Sequence, residues 1–161
     1  MAISLLVLSA LLVDVEALAI RAVTGRTTRP VASARASDDI CSAPGDPSLI
    51  MTTNVALSDK AGFIKAASAA VATCLSKPES YVAVCITDSH EGMSFGGSTE
   101  PCAVGCVYSI GQINQENNAA LTAAVSQLLE KHGGVPNNRI YINFFDVPRA
   151  NCGWSGRTFA G

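Results

Sequence analysis

A chain of 161 residues has room for one ordinary domain and an appendage. Eleven Lys and Arg face thirteen Asp and Glu, for a net charge of −2, with 15% of residues charged and 48% apolar. That balance excludes a basic nucleic-acid-binding stripe, a polyacidic tail and an intrinsically disordered chain, which needs more charge and less apolar area. Six cysteines are too sparse for a small disulfide-stapled scaffold.

The chain divides near residue 46. Ile3 to Val13 is an eleven-residue apolar run, too short to cross a bilayer as a helix but long enough for a signal-peptide core. Ala17-Leu18-Ala19 behind it offers small residues for cleavage. Ile20 to Ser37 carries four Arg, several Ser and Thr and no acid, the composition of a transit peptide or basic pro-segment. These features predict a targeting leader and linker over 1–46 and a folded domain over 47–161. The expected destination is secretion, with a plastid reached through a bipartite leader as the alternative. A helix lying on the domain or in a membrane interface is the other reading of the leader. No stable membrane span is expected.

From residue 47 the pattern is regular. Ser48 to Asn54 reads as a strand, and Ser58-Asp59 as a helix N-terminus. Phe63, Ala67, Ala70/Val71 and Cys74 recur at helical spacing until Lys77-Pro78. Tyr81 to Thr87 reads as a second strand. The pattern then repeats from Pro101: a strand over Ala103 to Ile110, an N-cap at Asn114, a buried helix face at Leu121, Val125 and Leu128/Leu129, and a stop at Gly133-Gly134. A last strand over Arg139 to Phe145 puts Ile140, Ile142 and Phe144 on one face and Tyr141, Asn143 and Phe145 on the other. Two βαβ units predict an α/β (α+β) fold, a four-stranded sheet with both helices on a single face. Its other face is left bare, which argues for oligomerisation through it.

No His, Cys and carboxylate grouping has metal-ligand spacing, since His90 and His132 are isolated. Gly96-Gly97 and Gly133-Gly134 read as turn glycines rather than a phosphate loop. Cys74, Cys85 and Cys152 read as small buried hydrophobes, and Cys41 as part of the leader. No metal, cofactor or nucleic-acid partner is expected.

Several blocks in order closely resemble the macrophage migration inhibitory factor family of the tautomerase superfamily. They are Pro47-Ser-Leu-Ile-Met-Thr-Thr-Asn-Val55, Lys77-Pro78, Met93-Ser-Phe-Gly-Gly-Ser-Thr-Glu-Pro-Cys-Ala103, Ser109-Ile110-Gly111, Asn138 to Asp146, Asn151-Cys-Gly-Trp154 and Thr158-Phe-Ala160. The resemblance implies a homotrimer of duplicated βαβ units with active sites between subunits. It implies a cofactor-independent keto–enol tautomerase, an isomerase of small aromatic keto acids of the phenylpyruvate or dopachrome type. By the same resemblance Pro47 is the catalytic base, and Lys77 and the Ile110 N–H hold the substrate. Tyr141 and Asn143 come from the neighbouring subunit, and Trp154 and Phe159 form aromatic walls. The alternative reading is a secreted, cytokine-like binding protein, with a possible protein receptor, in which the site is blocked or vestigial.

One bond decides between the two. A secondary amine on a rigid ring is a usable base near neutral pH, because an α-amino group starts near pKa ~8 and desolvation lowers it. Inside a chain the same nitrogen is an amide. Here Asp46 precedes Pro47, so the base exists only after cleavage before Pro47, and the structural alternative is a proline that merely opens a strand. Where the family's best-known member has a redox motif Cys-x-x-Cys, the spacing here is Cys102-x-x-x-Cys106. The extra residue turns Cys106 to the other sheet face and argues against a thiol oxidoreductase.

Overall fold

The computed structural model describes residues 46–161, so the expectations for the leader and Cys41 lie outside the described residues. The elements are β1 (Ser48–Thr53), α1 (Lys60–Cys74), β2 (Ala83–Thr87), β3 (Ala103–Ser109), α2 (Gln115–Gly133), β4 (Ile140–Asp146) and a small hairpin of β5 (Gly153–Trp154) and β6 (Arg157–Thr158). The main sheet runs β2-β1-β3-β4. β1 is parallel to β2, β3 is parallel to β4, and the two halves join antiparallel through β1 and β3.

Local chemistry sets the helix ends. The Asp59 carboxylate accepts from Gly62 N at 2.8 Å, and Asn114 Oδ1 accepts from Asn117 N at 2.9 Å. Each satisfies a backbone donor that the first helical turn leaves without a partner. Gly134 closes α2 in the left-handed region (φ 65°) and donates to the Glu130 carbonyl at 2.9 Å.

Both helices cover one sheet face. Leu49, Met51, Ala103 and Val107 meet Phe63, Ala67 and Val71 of α1 and Leu121, Val125 and Leu129 of α2 in a continuous buried core. Burying each large side chain contributes about 1.5–3 kcal/mol. The other face is open, with Ile50 43%, Val104 41% and Phe145 47% exposed.

Two expectations need correction. The chain from Tyr81 does not enter a strand at once. Glu79–Tyr81 forms a 3₁₀ turn, with Tyr81 N donating to the Pro78 carbonyl at 3.0 Å, and β2 begins at Ala83. Cys85 is not buried: alternation along β2 places it on the open sheet face, while Cys74 and Cys152 are half-buried.

Candidate active site

Pro47 heads β1 with its ring fully buried, and its carbonyl accepts from Ala83 N at 3.0 Å. Ser48 stands opposite Tyr108 in the antiparallel ladder, so Pro47 is level with the end of β3, where Ser109 leads to Ile110. Lys77 reaches the same end. A helix C-terminal lysine ordinarily spreads into solvent, yet Lys77 is only 5% exposed, and its Nζ donates to the Ile110 carbonyl at 2.9 Å. Its backbone causes the turn: Ser76 takes a left-handed φ of 49°, and Lys77 N donates back to the Ala72 carbonyl at 2.9 Å. Next to Ile110, Gly111 (φ 73°) donates to Asp146 Oδ1 at 2.8 Å, tying the end of β3 to β4.

The C-terminal hairpin supplies an aromatic rim. Trp154 and Phe159 stack at 5.7 Å, and Trp154 packs on Tyr81 at 5.9 Å. Phe159 is held at both ends of its backbone, its N–H on the Cys152 carbonyl at 3.0 Å and its carbonyl accepting from Arg149 Nε at 3.1 Å. Beneath the rim lies a cleft of about 290 Å³ lined by Asp46, Tyr81, Cys152, Trp154 and Phe159, among others. Asp46 is held there by hydrogen bonds from the Ser48 hydroxyl and, at 3.5 Å, from the Cys152 thiol. Burial first, then the Asp46 carboxylate beside it, push the Cys152 thiol above its ordinary range, so it stays protonated as a donor.

Pro47, Lys77, Ile110, Trp154 and Phe159 thus gather at one end of the sheet. Tyr141 and Asn143 do not. They sit on the edge strand β4, opposite Val104 and Cys106. With strands about 4.8 Å apart and about 3.3 Å per residue, they stand roughly 20 Å and roughly 14 Å from Pro47 of the same chain. Tyr141 is 64% exposed, and its ring lies on Phe95 at 4.7 Å, while Arg139 covers Phe95 at 5.4 Å. Arg139 also fastens that loop by donating to the Ser98, Glu100 and Pro101 carbonyls at 2.9–3.2 Å.

Three contributors carry no signal of this role in the sequence, where Tyr81 reads as strand, Cys152 as core and Asp46 as linker. The spacing Cys102-x-x-x-Cys106 fits the packing around Gly105. At Gly105, which aligns with the motif's second cysteine, a β-carbon would collide with Met51 Sδ and the Ile50 carbonyl. Cys106 instead occupies the open face, opposite Ile50, where it holds the Tyr108 hydroxyl above its ordinary range.

Comparisons with known proteins give the family of this fold. The family model described as macrophage migration inhibitory factor (MIF) matches residues 46–160. A macrophage migration inhibitory factor homolog of Trichinella spiralis is 41% identical over 114 residues, which are 70% of this chain and 99% of that protein. The macrophage migration inhibitory factor of Xenopus laevis is 43% identical over 90 residues, 56% of this chain and 77% of that one. Among solved structures, macrophage migration inhibitory factor from Toxoplasma gondii superposes with a TM-score of 0.66 at 38% identity, covering 69% of this chain and 98% of its own. A homologue from Prochlorococcus marinus does so with 0.66 at 34% identity, covering 70% and 98%. The described residues form a duplicated βαβ domain of the tautomerase class, and the chain belongs to the macrophage migration inhibitory factor family.

Proposed function

We propose that this chain is a cofactor-independent keto–enol tautomerase of small aromatic keto acids, of the phenylpyruvate or dopachrome type, that acts once the Asp46–Pro47 bond is cut. The observation that carries this reading is Lys77, turned away from solvent onto the Ile110 carbonyl at the end of the sheet that Pro47 heads. A buried ammonium at that end is suited to hold a substrate carboxylate. The freed Pro47 amine, desolvated and therefore largely neutral near pH 7, takes the proton alpha to the keto group and returns it to the enol carbon. The Ile110 N–H holds the substrate beside it. Tyr81, Trp154 and Phe159 pack its ring. Tyr141 and Asn143 complete the pocket from a neighbouring subunit, in a homotrimer closed through the open sheet faces.

A second reading is favoured by Asp46 itself, which sits in the cleft and keeps the Pro47 nitrogen an amide. A chain never cut there keeps the fold as a binding protein without a base. N-terminal sequencing of the mature protein separates the two. In a chain made to begin at Pro47, phenylpyruvate tautomerisation is expected to run at least a hundredfold faster than in the uncut chain. Pro47→Gly should remove about 10²–10⁴ of that rate, the usual share of a general base. An unchanged rate in Pro47→Gly would overturn the mechanism.

A further inference from the structure

Exposing the Pro47 amine requires breaking a bond whose far side an external endopeptidase can hardly grip. Residues beyond it form β1, hydrogen-bonded to β2 on one edge and β3 on the other, and the Pro47 ring is fully buried. The stretch beyond the scissile bond would first have to be pulled out of the sheet. The near side carries its own nucleophile. The Asp46 carboxyl closes a five-membered ring on its own main-chain carbonyl carbon, and both carboxyl oxygens are held, Oδ1 by the Ser48 hydroxyl and Oδ2 by the Cys152 thiol at 3.5 Å. The Cys152 backbone is fixed in turn by Phe159 N at 3.0 Å, and the leaving residue is fixed by Ala83 N on the Pro47 carbonyl at 3.0 Å. Ordering both reactants in advance removes much of the entropy cost of an intramolecular attack.

We propose that the chain cuts its own Asp46–Pro47 bond, with the Asp46 carboxyl as nucleophile and Ser48 and Cys152 as positioning residues. One carboxyl oxygen of Asp46 adds to the Asp46 main-chain carbonyl carbon. The C–N bond to Pro47 breaks as the Pro47 nitrogen takes a proton from water, and Pro47 leaves as a secondary amine. The hydroxide left from that water opens the cyclic anhydride and leaves Asp46 with two free carboxyl groups. One water is consumed, and no oxidant, reductant or other reactant takes part. Tyr81 and Cys152 are the other titratable side chains lining this cleft. The proposal rests on the reading of Pro47 as the base and supplies the step that creates it.

The test follows the purified full-length chain by intact mass at neutral pH, with serine- and metallopeptidase inhibitors present. A fragment of residues 47–161 should appear with a first-order rate independent of protein concentration, at least tenfold faster than in the same chain unfolded in guanidinium. Asp46→Ala should yield none of it while keeping the parent's far-UV spectrum. Cys152→Ala should slow it at least threefold, and Cys152→Ser, which keeps a donor, should restore at least half of the rate. Cutting of Asp46→Ala at the same bond, a rate that rises with protein concentration or added cell extract, or a folded chain no faster than the unfolded one would each overturn the proposal. Catalysis by a chain made to begin at Pro47 is measured separately. Failure of self-cleavage therefore leaves the tautomerase reading standing, and failure of catalysis leaves self-cleavage standing.

Discussion

At the scale of the residue, charged side chains near the first βαβ unit act as ties more than as surface. Asp88, just past β2, pairs with Lys60 Nζ at 2.5 Å and accepts from Leu57 N at 3.1 Å, joining the end of a strand to the start of a helix. The Lys60 hydrogen bond first, then the Leu57 N–H, hold the Asp88 carboxyl below its ordinary range. A carboxyl depressed in the folded state contributes stability that is present above its unfolded value, near pH ~3.9, and is lost as pH falls through the folded value. Asp88→Asn should therefore lower the thermal midpoint near pH 7, with the gap from the parent closing below about pH 4. A gap that stays constant across that range would show that the charge is not what matters. Pro47, Lys77 and Trp154, named by the resemblance, do lie toward one end of the sheet. Tyr81 and Cys152 were not legible in the sequence, because each becomes part of the cleft only when a C-terminal hairpin more than seventy residues beyond Tyr81 folds back on it. Cys85 misled because an apolar run names a strand without saying which of its faces is covered.

At the scale of the element, caps and periodicity carried almost all the information. Phe63, Ala67 and Val71 do face the core, and Asp59, Asn114 and Gly134 end the helices where their side chains or φ preference dictate. Replacing Asn114 by Ala should cost about 0.5–2 kcal/mol, the usual worth of an N-cap. Gly134→Ala, forced to keep a left-handed φ, should cost about 1–2 kcal/mol. Both are read as a lower denaturant midpoint with an unchanged slope. A slope that changes in either variant would mean that more than a helix end has been lost. The 3₁₀ turn before β2 and the β5–β6 hairpin were invisible for the opposite reason. Three residues in one and two per strand in the other are too few to show any period, and only the Ser155-Gly156 pair, both at positive φ, marks the hairpin turn.

At the scale of the whole molecule, the helices explain one sheet face and leave the other unexplained. Ile50, Val104, Cys106, Tyr108 and Phe145 line up across β1, β3 and β4 with no helix over them, and Tyr108 stacks on Phe145 at 5.0 Å as part of the same surface. Such a surface on a domain of this size is an interface in search of its partner. The proposed site says what that partner must supply, since Tyr141 and Asn143 lie too far from Pro47 in their own chain to share its substrate. Ile50→Glu combined with Val104→Glu puts two charges on the centre of the open face, away from the helices and the cleft. In a chain made to begin at Pro47, the pair should turn the proposed trimer into a monomer by sedimentation velocity, keep the helical far-UV signal, and lose at least tenfold in the proposed tautomerase rate. Adding excess Pro47→Gly chain, which has an intact sheet face and an intact Tyr141 and Asn143, should not restore that rate, because the double variant cannot dock. Asn143→Ala, by contrast, should recover activity when mixed with Pro47→Gly, since each subunit then supplies what the other lacks. Activity that survives the two charges, or a mixture no better than its parts, would place the whole pocket within one chain.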